Sequence, residues 1–256
     1  WEQTFPDISN RVRNSFLEFV FKHFAHCGIT VSDTLVAACL DRNNDKTTTF
    51  AVAAWKPAST DTALELTRPL FFEPGTTHNL KRTVLKRLEE TVKSREFPAS
   101  SNGSDVSAWW EAAFNWFVQQ GGIAETDRLR FLRAQVLSTG PNKTAQQRHL
   151  IVKLRACAPE GFPDTATQPS LPQDWVKTWQ WSIQTGSFEP AHVVPFLCAQ
   201  MRVKGELDTA VKTALLTELR TQIGPDFPLT SADAIDVETE WSACGKWLVD
   251  QGYFGN

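Results

Sequence analysis

The stretch Trp110-Glu111-Ala112-Ala113-Phe114-Asn115-Trp116-Phe117-Val118-Gln119-Gln120-Gly121 returns sixty-five residues later as Trp175-Val176-Lys177-Thr178-Trp179-Gln180-Trp181-Ser182-Ile183-Gln184-Thr185-Gly186. Both copies place aromatic residues four and six positions after the first Trp and close on glycine. Aromatics at i and i+4 share one helical face, whereas a residue six positions on lies about 240° around the axis. Each copy therefore predicts a helix buried on two sides, with Gly121 and Gly186 as C-terminal caps able to take positive φ.

The likeness extends well beyond these helices. Segment 106–163 lies on 171–228 without a gap, with sixteen identities that include Phe131/Phe196, Gln135/Gln200, Leu150/Leu215, Arg155/Arg220 and Phe162-Pro163/Phe227-Pro228. Composition alone gives on the order of four, so duplication is the reading. Trp241, Trp247 and Gly252 keep the internal spacing of Trp110, Trp116 and Gly121 and open a further copy. Phe97-Pro98 stands one period before Phe162-Pro163, which places a divergent copy upstream.

Each unit is expected to hold three helices. Helix A spans about 106–120, 171–185 and 236–251, helix B about 125–138, and helix C about 144–157. The fold expected is mainly α: tandem three-helix repeats of about 65 residues, solenoid-like, divided at 1–98, 99–163, 164–228 and 229–256. A Phe-rich helix opens the first unit and a helix from His78 to Arg95 closes it. Between about 35 and 72 the pattern shifts to alternation of Thr and Val, as in Thr49-Phe50-Ala51-Val52 and Leu64-Glu65-Leu66-Thr67. That predicts a small β insertion, with Arg42-Asn43-Asn44-Asp45 as its hairpin turn.

Composition sets the outer bounds. With 41% hydrophobic and 21% charged residues the chain has a core to bury. No run reaches the roughly 18 apolar residues of a membrane span, so none is expected. The chain opens on Trp1, which reads as a processed or trimmed start. Five cysteines (Cys27, Cys39, Cys157, Cys198 and Cys244) form no CxxC and suit reduced thiols in an intracellular protein. The sequons at Asn102 and Asn142 read as chance matches.

Net charge is −3, yet the distribution is uneven. From Arg128 to Arg155 stand Arg128, Arg130, Arg133, Lys143, Arg148, Lys153 and Arg155 with no acid, while from Glu206 onward nine acids face three bases. Opposite charges at the two ends admit self-association. Together with Lys81 and Arg82, the basic stretch is the expected contact for an acidic protein segment. Trp109 joins this set, and Trp55 stands beside it, because neither has an aromatic equivalent in another unit. Seven others, Trp110, Trp116, Trp175, Trp179, Trp181, Trp241 and Trp247, keep a common phase and read as core.

Chemical motifs are few. His23, His26 and Cys27 share one helical face but lack a fourth ligand at a metal-site spacing. Asp41, Asn43 and Asp45 imitate a calcium loop whose glycine and glutamate positions are Lys46 and Val52. No nucleotide-binding glycine loop or nucleophile elbow occurs. No cofactor is expected, and the chain reads as a non-enzymatic binding or scaffold protein, one subunit of a larger assembly.

Three alternatives stand beside that reading. A nucleic-acid binder would use the basic helices 81–95 and 128–155, with 128–155 as a helix-turn-helix presenting Gln146, Gln147, Arg148 and Lys153. A coat-type protein would self-assemble. An enzyme would place its site in the divergent first unit.

Overall fold

The computed structural model describes residues 6–40, 45–92, 96–99, 105–138, 144–163, 172–202, 207–228 and 236–253. These residues are mainly helical. In chain order the helices are α1 (Pro6–Cys27), α2 (Asp33–Leu40), α3 (Asp45–Ala54), α4 (Thr60–Thr67), α5 (His78–Val92), α6 (Val106–Gln119), α7 (Arg128–Ser138), α8 (Thr144–Cys157), α9 (Pro172–Gly186), α10 (Pro190–Met201), α11 (Thr209–Ile223) and α12 (Val237–Asp250). Short 3₁₀ turns cover Arg68–Phe72 and Glu125–Asp127.

The expected β insertion is overturned. Thr49–Val52 lies within α3 and Leu64–Thr67 within α4; among the described residues the sole β feature is an isolated parallel bridge between Val31 and Trp55. Burial explains the difference. Thr47, Thr48, Ala51, Val52, Ala54 and Trp55 are buried, and the three-and-four spacing of 47, 48, 51, 52 and 55 belongs to a helix and overrides the β-preference of Thr and Val. In α4 the Ser59 hydroxyl accepts from the Thr62 amide at 3.1 Å, an N-cap that starts the helix. Ala63 and Thr67 then fall four apart on its buried side, and the Thr67 hydroxyl donates to the Ala63 carbonyl at 2.7 Å. Residues 41–44 of the expected hairpin turn lie outside the described residues, and Asp45 opens α3.

The chain forms two compact units, one through Glu125 and one from Thr126. That boundary falls inside 99–163, and in the first unit α6 packs on α5.

In the first unit α3 packs against α1, α2 and α5, and α5 against α4 and α6. Phe71, fully buried, is the hub of its aromatic core. Its ring stacks on Trp110 at 4.3 Å and meets Phe117 edge-on at 5.1 Å and Phe114 at 6.0 Å. These are the offset and edge geometries that aromatic quadrupoles favour. Trp116 meets Phe97 edge-on at 5.1 Å.

In the second unit α7 packs against α8, α9 and α10, while α11 packs against α9, α10 and α12. Trp175 and Trp179 are buried along α9. Phe162 meets Trp181 edge-on at 5.1 Å, and Phe227 meets Trp247 at 5.5 Å.

Helix ends follow the glycine reading twice and depart from it once. Gly121 and Gly252 adopt φ of 73° and 76°, and their amides donate to Val118 and Val249 carbonyls at 3.0 Å. Gly186 instead stays within α9, and Ser187 takes the left-handed conformation at φ 52°.

Candidate interaction surface

The residues singled out by charge separate into two groups, those turned into the core and those left at the surface. Lys81 is buried, at 4% exposure, with its ammonium 5.8 Å from the centroid of Trp110. A cation held there serves packing and cation–π attraction rather than a partner's acids. Trp109 is likewise buried, and its indole N–H donates to the Pro98 carbonyl at 2.7 Å, tying the Phe97-Pro98 segment to α6. Trp55 is buried too and donates to Asp33 Oδ1 at 2.7 Å. Lys81 and Trp109 thus stand inside the fold rather than on the expected contact surface.

Arg133 is half-buried and engaged within its own unit. Its guanidinium lies 4.4 Å from the Trp181 centroid and donates to the Thr185 carbonyl at 3.2 Å, at the C-terminal end of α9. Orphan carbonyls and the negative end of the helix dipole make that a favourable seat for a cation. Burial holds its pKa below the usual arginine value.

What remains outside is smaller. Arg130 and Arg148 are exposed, Arg128 and Lys153 half-buried. On α8 the exposed face carries Arg148, His149 and Val152, the last at 58% exposure, with Lys153 at its edge. Gln147, assigned to that face by the helix-turn-helix reading, is buried on the other side. Arg82 is exposed and bonds His78 at 3.2 Å along α5.

The metal candidates do not assemble. His23, His26 and Cys27 are exposed at the end of α1, and His23 stacks on Phe19 at 6.0 Å. Among the described residues no three His, Cys, Asp or Glu side chains gather in a metal-binding group. All five cysteines are free thiols; burial pushes Cys198 and Cys244 up to about 11.

Two ionic contacts join α11 and α12. Arg220 bonds Glu240 at 2.5 Å, and Lys212 pairs with Glu238 while lying 5.9 Å from the Trp241 centroid. Arg155/Arg220 is the one basic position identical between segments 106–163 and 171–228, which suits a structural bridge, whereas sequence reasoning missed the Lys212–Glu238 contact. The Phe-rich helix α1 leaves Phe16 and Phe19 at the surface, at 63% and 67% exposure.

Two concavities lie among the described residues. A groove of about 540 Å³ in the first unit runs past Ile29, Trp55, Lys56 and the start of α4. Arg87, on its wall, is committed to the Val52 and Ala53 carbonyls at 3.4 and 2.6 Å and to Glu90 at 2.7 Å. A tighter cavity of about 180 Å³ lies among α8, α9, α10 and α11.

Among the described residues no helix is long and apolar enough to cross a membrane. No protein-family model, curated protein or solved structure matches the chain.

Proposed function

We propose that the chain is a tandem helical-repeat scaffold that binds a protein partner through the basic outer face of α7 and α8. The carrying observation is a recurring contact: Phe97/Trp116, Phe162/Trp181 and Phe227/Trp247 meet edge-on at 5.1, 5.1 and 5.5 Å. The opening of α8 at Thr144 and α11 at Thr209, and of α9 at Pro172 and α12 at Val237, supports the same period. Stacked helical units bury a continuous core and leave an extended surface, which is how such folds engage partners.

Within that surface the α8 face is the best supported contact. Val152 offers an exposed apolar centre beside Arg148, His149 and Lys153, which suits an acidic helix with an apolar seam. The nucleic-acid alternative has thinner support, because Lys81 and Gln147 are buried and Arg133 is engaged at the end of α9.

The test is quantitative affinity capture on the full chain, comparing wild type with the Arg130→Glu/Arg148→Glu double variant. The expected result is a defined protein partner retained by wild type and lost by the variant at equal stability. A partner set indifferent to the reversal overturns the assignment. Steep salt-dependent retention on heparin or DNA, lost in the same variant, would replace it with the nucleic-acid reading.

A further inference from the structure

The fourth residues of α5, α8 and α11 are Lys81, Gln147 and Lys212. Two of these helices put an ammonium beside a Trp of the helix that follows, Lys81 at 5.8 Å from Trp110 and Lys212 at 5.9 Å from Trp241, the two rings that stand six residues before Trp116 and Trp247. In α8 the position belongs to the shorter, neutral Gln147, and here the protein has a cavity of about 180 Å³ that Gln147 and Trp175 both line. The ionic partner is gone as well. Three residues before Trp241 stands Glu238, which pairs with Lys212; three residues before Trp175 stands Pro172, on the cavity wall.

We propose that this cavity is a binding site for a small, uncharged aromatic compound of about the size of indole. Size comes first. An apolar cavity of roughly 150 Å³ holds a benzene ring, so about 180 Å³ admits a single or small fused ring. Shape follows from Trp175 and Trp179, both buried, whose flat indoles favour a flat ligand in offset or edge contact. Val211 and Leu215 supply aliphatic wall, and the buried amides of Gln147 and Gln200 supply polarity for one hydrogen-bonding edge.

Charge decides the class. Among the described residues no charged side chain lines the cavity, so an ammonium or carboxylate on the ligand would lose its hydration with none of them to replace it. The site does not rest on the scaffold reading, since its occupant is a small molecule and its test involves no protein partner.

The experiment is calorimetric titration of the full chain with indole, tryptamine and indole-3-acetate. Wild type is expected to bind indole at one saturable site and each charged analogue at least tenfold more weakly. Gln147→Lys restores the residue found at the equivalent positions of α5 and α11, fills the space, and should weaken indole at least tenfold. Leu215→Phe fills the opposite wall and should do the same if Gln147→Lys fails to fold. Absence of saturable indole binding up to its solubility limit overturns the proposal. So does indole binding unchanged in every folded filling variant, and tryptamine binding as tightly as indole overturns the uncharged class.

Discussion

If one packing rule is copied along the chain, three separate pairs should report the same coupling energy. The perturbations are Phe→Leu at Phe97, Phe162 and Phe227 and Trp→Leu at Trp116, Trp181 and Trp247, singly and as the three matching doubles. Leucine keeps the helix and most of the apolar volume. Each single change then costs about 1–3 kcal/mol rather than the 3–5 kcal/mol of truncation to Ala, and stays within the 5–15 kcal/mol that a domain has to lose. The double-mutant cycle removes these background losses and leaves the ring–ring term. With centroids 5.1 to 5.5 Å apart and planes inclined by 70° to 79°, that term is about 0.5–1.5 kcal/mol. In equilibrium constants it amounts to roughly a factor of 2 to 13. Urea unfolding followed by far-UV circular dichroism supplies the energies, and hydrogen exchange in α6, α9 and α12 checks that the loss is local. Coupling within error of zero at any two pairs, or values spread by more than about 1 kcal/mol, would refute the idea that these contacts are copies of one rule.

The cations should divide by what they touch. Arg133→Ala removes both the Trp181 face contact and the Thr185 carbonyl bond and is expected to destabilise by about 1–2 kcal/mol, while Arg148→Ala stays within about 0.5 kcal/mol; thermal unfolding of the two variants checks this. Thiol titration at pH 8 should modify Cys27 and Cys157 quickly and Cys198 and Cys244 only on unfolding, because burial raises the latter two to about 11. Raised folded values mean that stability from these two thiols is present below the ordinary thiol pKa and is lost as pH climbs toward 11, which an alkaline unfolding series measures. Asp236 caps α12 by accepting from the Thr239 amide at 2.9 Å, and its pKa is lowered chiefly by that bond. Its contribution is present above the ordinary carboxyl pKa and fades as pH falls through the depressed value, so hydrogen exchange at the start of α12 should quicken in acid, and Asp236→Asn should abolish that dependence.

Helices were legible where burial left a periodic mark. The expected helices at 106–120 and 144–157 meet α6 at Val106–Gln119 and α8 at Thr144–Cys157. Between Asp33 and Thr67 the signal failed, because three helices of eight to ten residues present too few turns for their period to outweigh runs such as Thr47-Thr48-Thr49. The surface was less legible than the fold. A lysine on a charged helix reads as solvated, and only the placement of Trp110 reveals that Lys81 is held inside. Trp109 misled for a related reason: the residues preceding Trp175 and Trp241 are Asp174 and Glu240, so its lack of an aromatic counterpart suggested an outward role. Its actual task is to anchor Pro98, a backbone contact that leaves no trace in composition.

The indole nitrogens separate two kinds of tryptophan. Trp55 and Trp109, both outside the repeated phase, each donate at 2.7 Å. Trp110, Trp116 and Trp175, all within that phase, bury an N–H with no hydrogen-bond partner among the described residues. An unpaired buried donor costs roughly 1–3 kcal/mol, so these positions hold Trp in spite of its polar edge. What they retain is ring area and shape, at 150–250 Å² of burial for each large aromatic. The charges around them obey a different constraint. Lys81 is set against the Trp110 ring and Lys212 against the half-buried Trp241, while Gln147 stands at that position where the Trp175 ring borders open space. A duplicated packing scaffold can keep its aromatics fixed while the residues around each ring vary, and the variation at Gln147 and Pro172 removes both charges of the pair that Lys212 and Glu238 form. Neutral side chains at both positions leave the Trp175 ring on a cavity with no charge among its described lining residues.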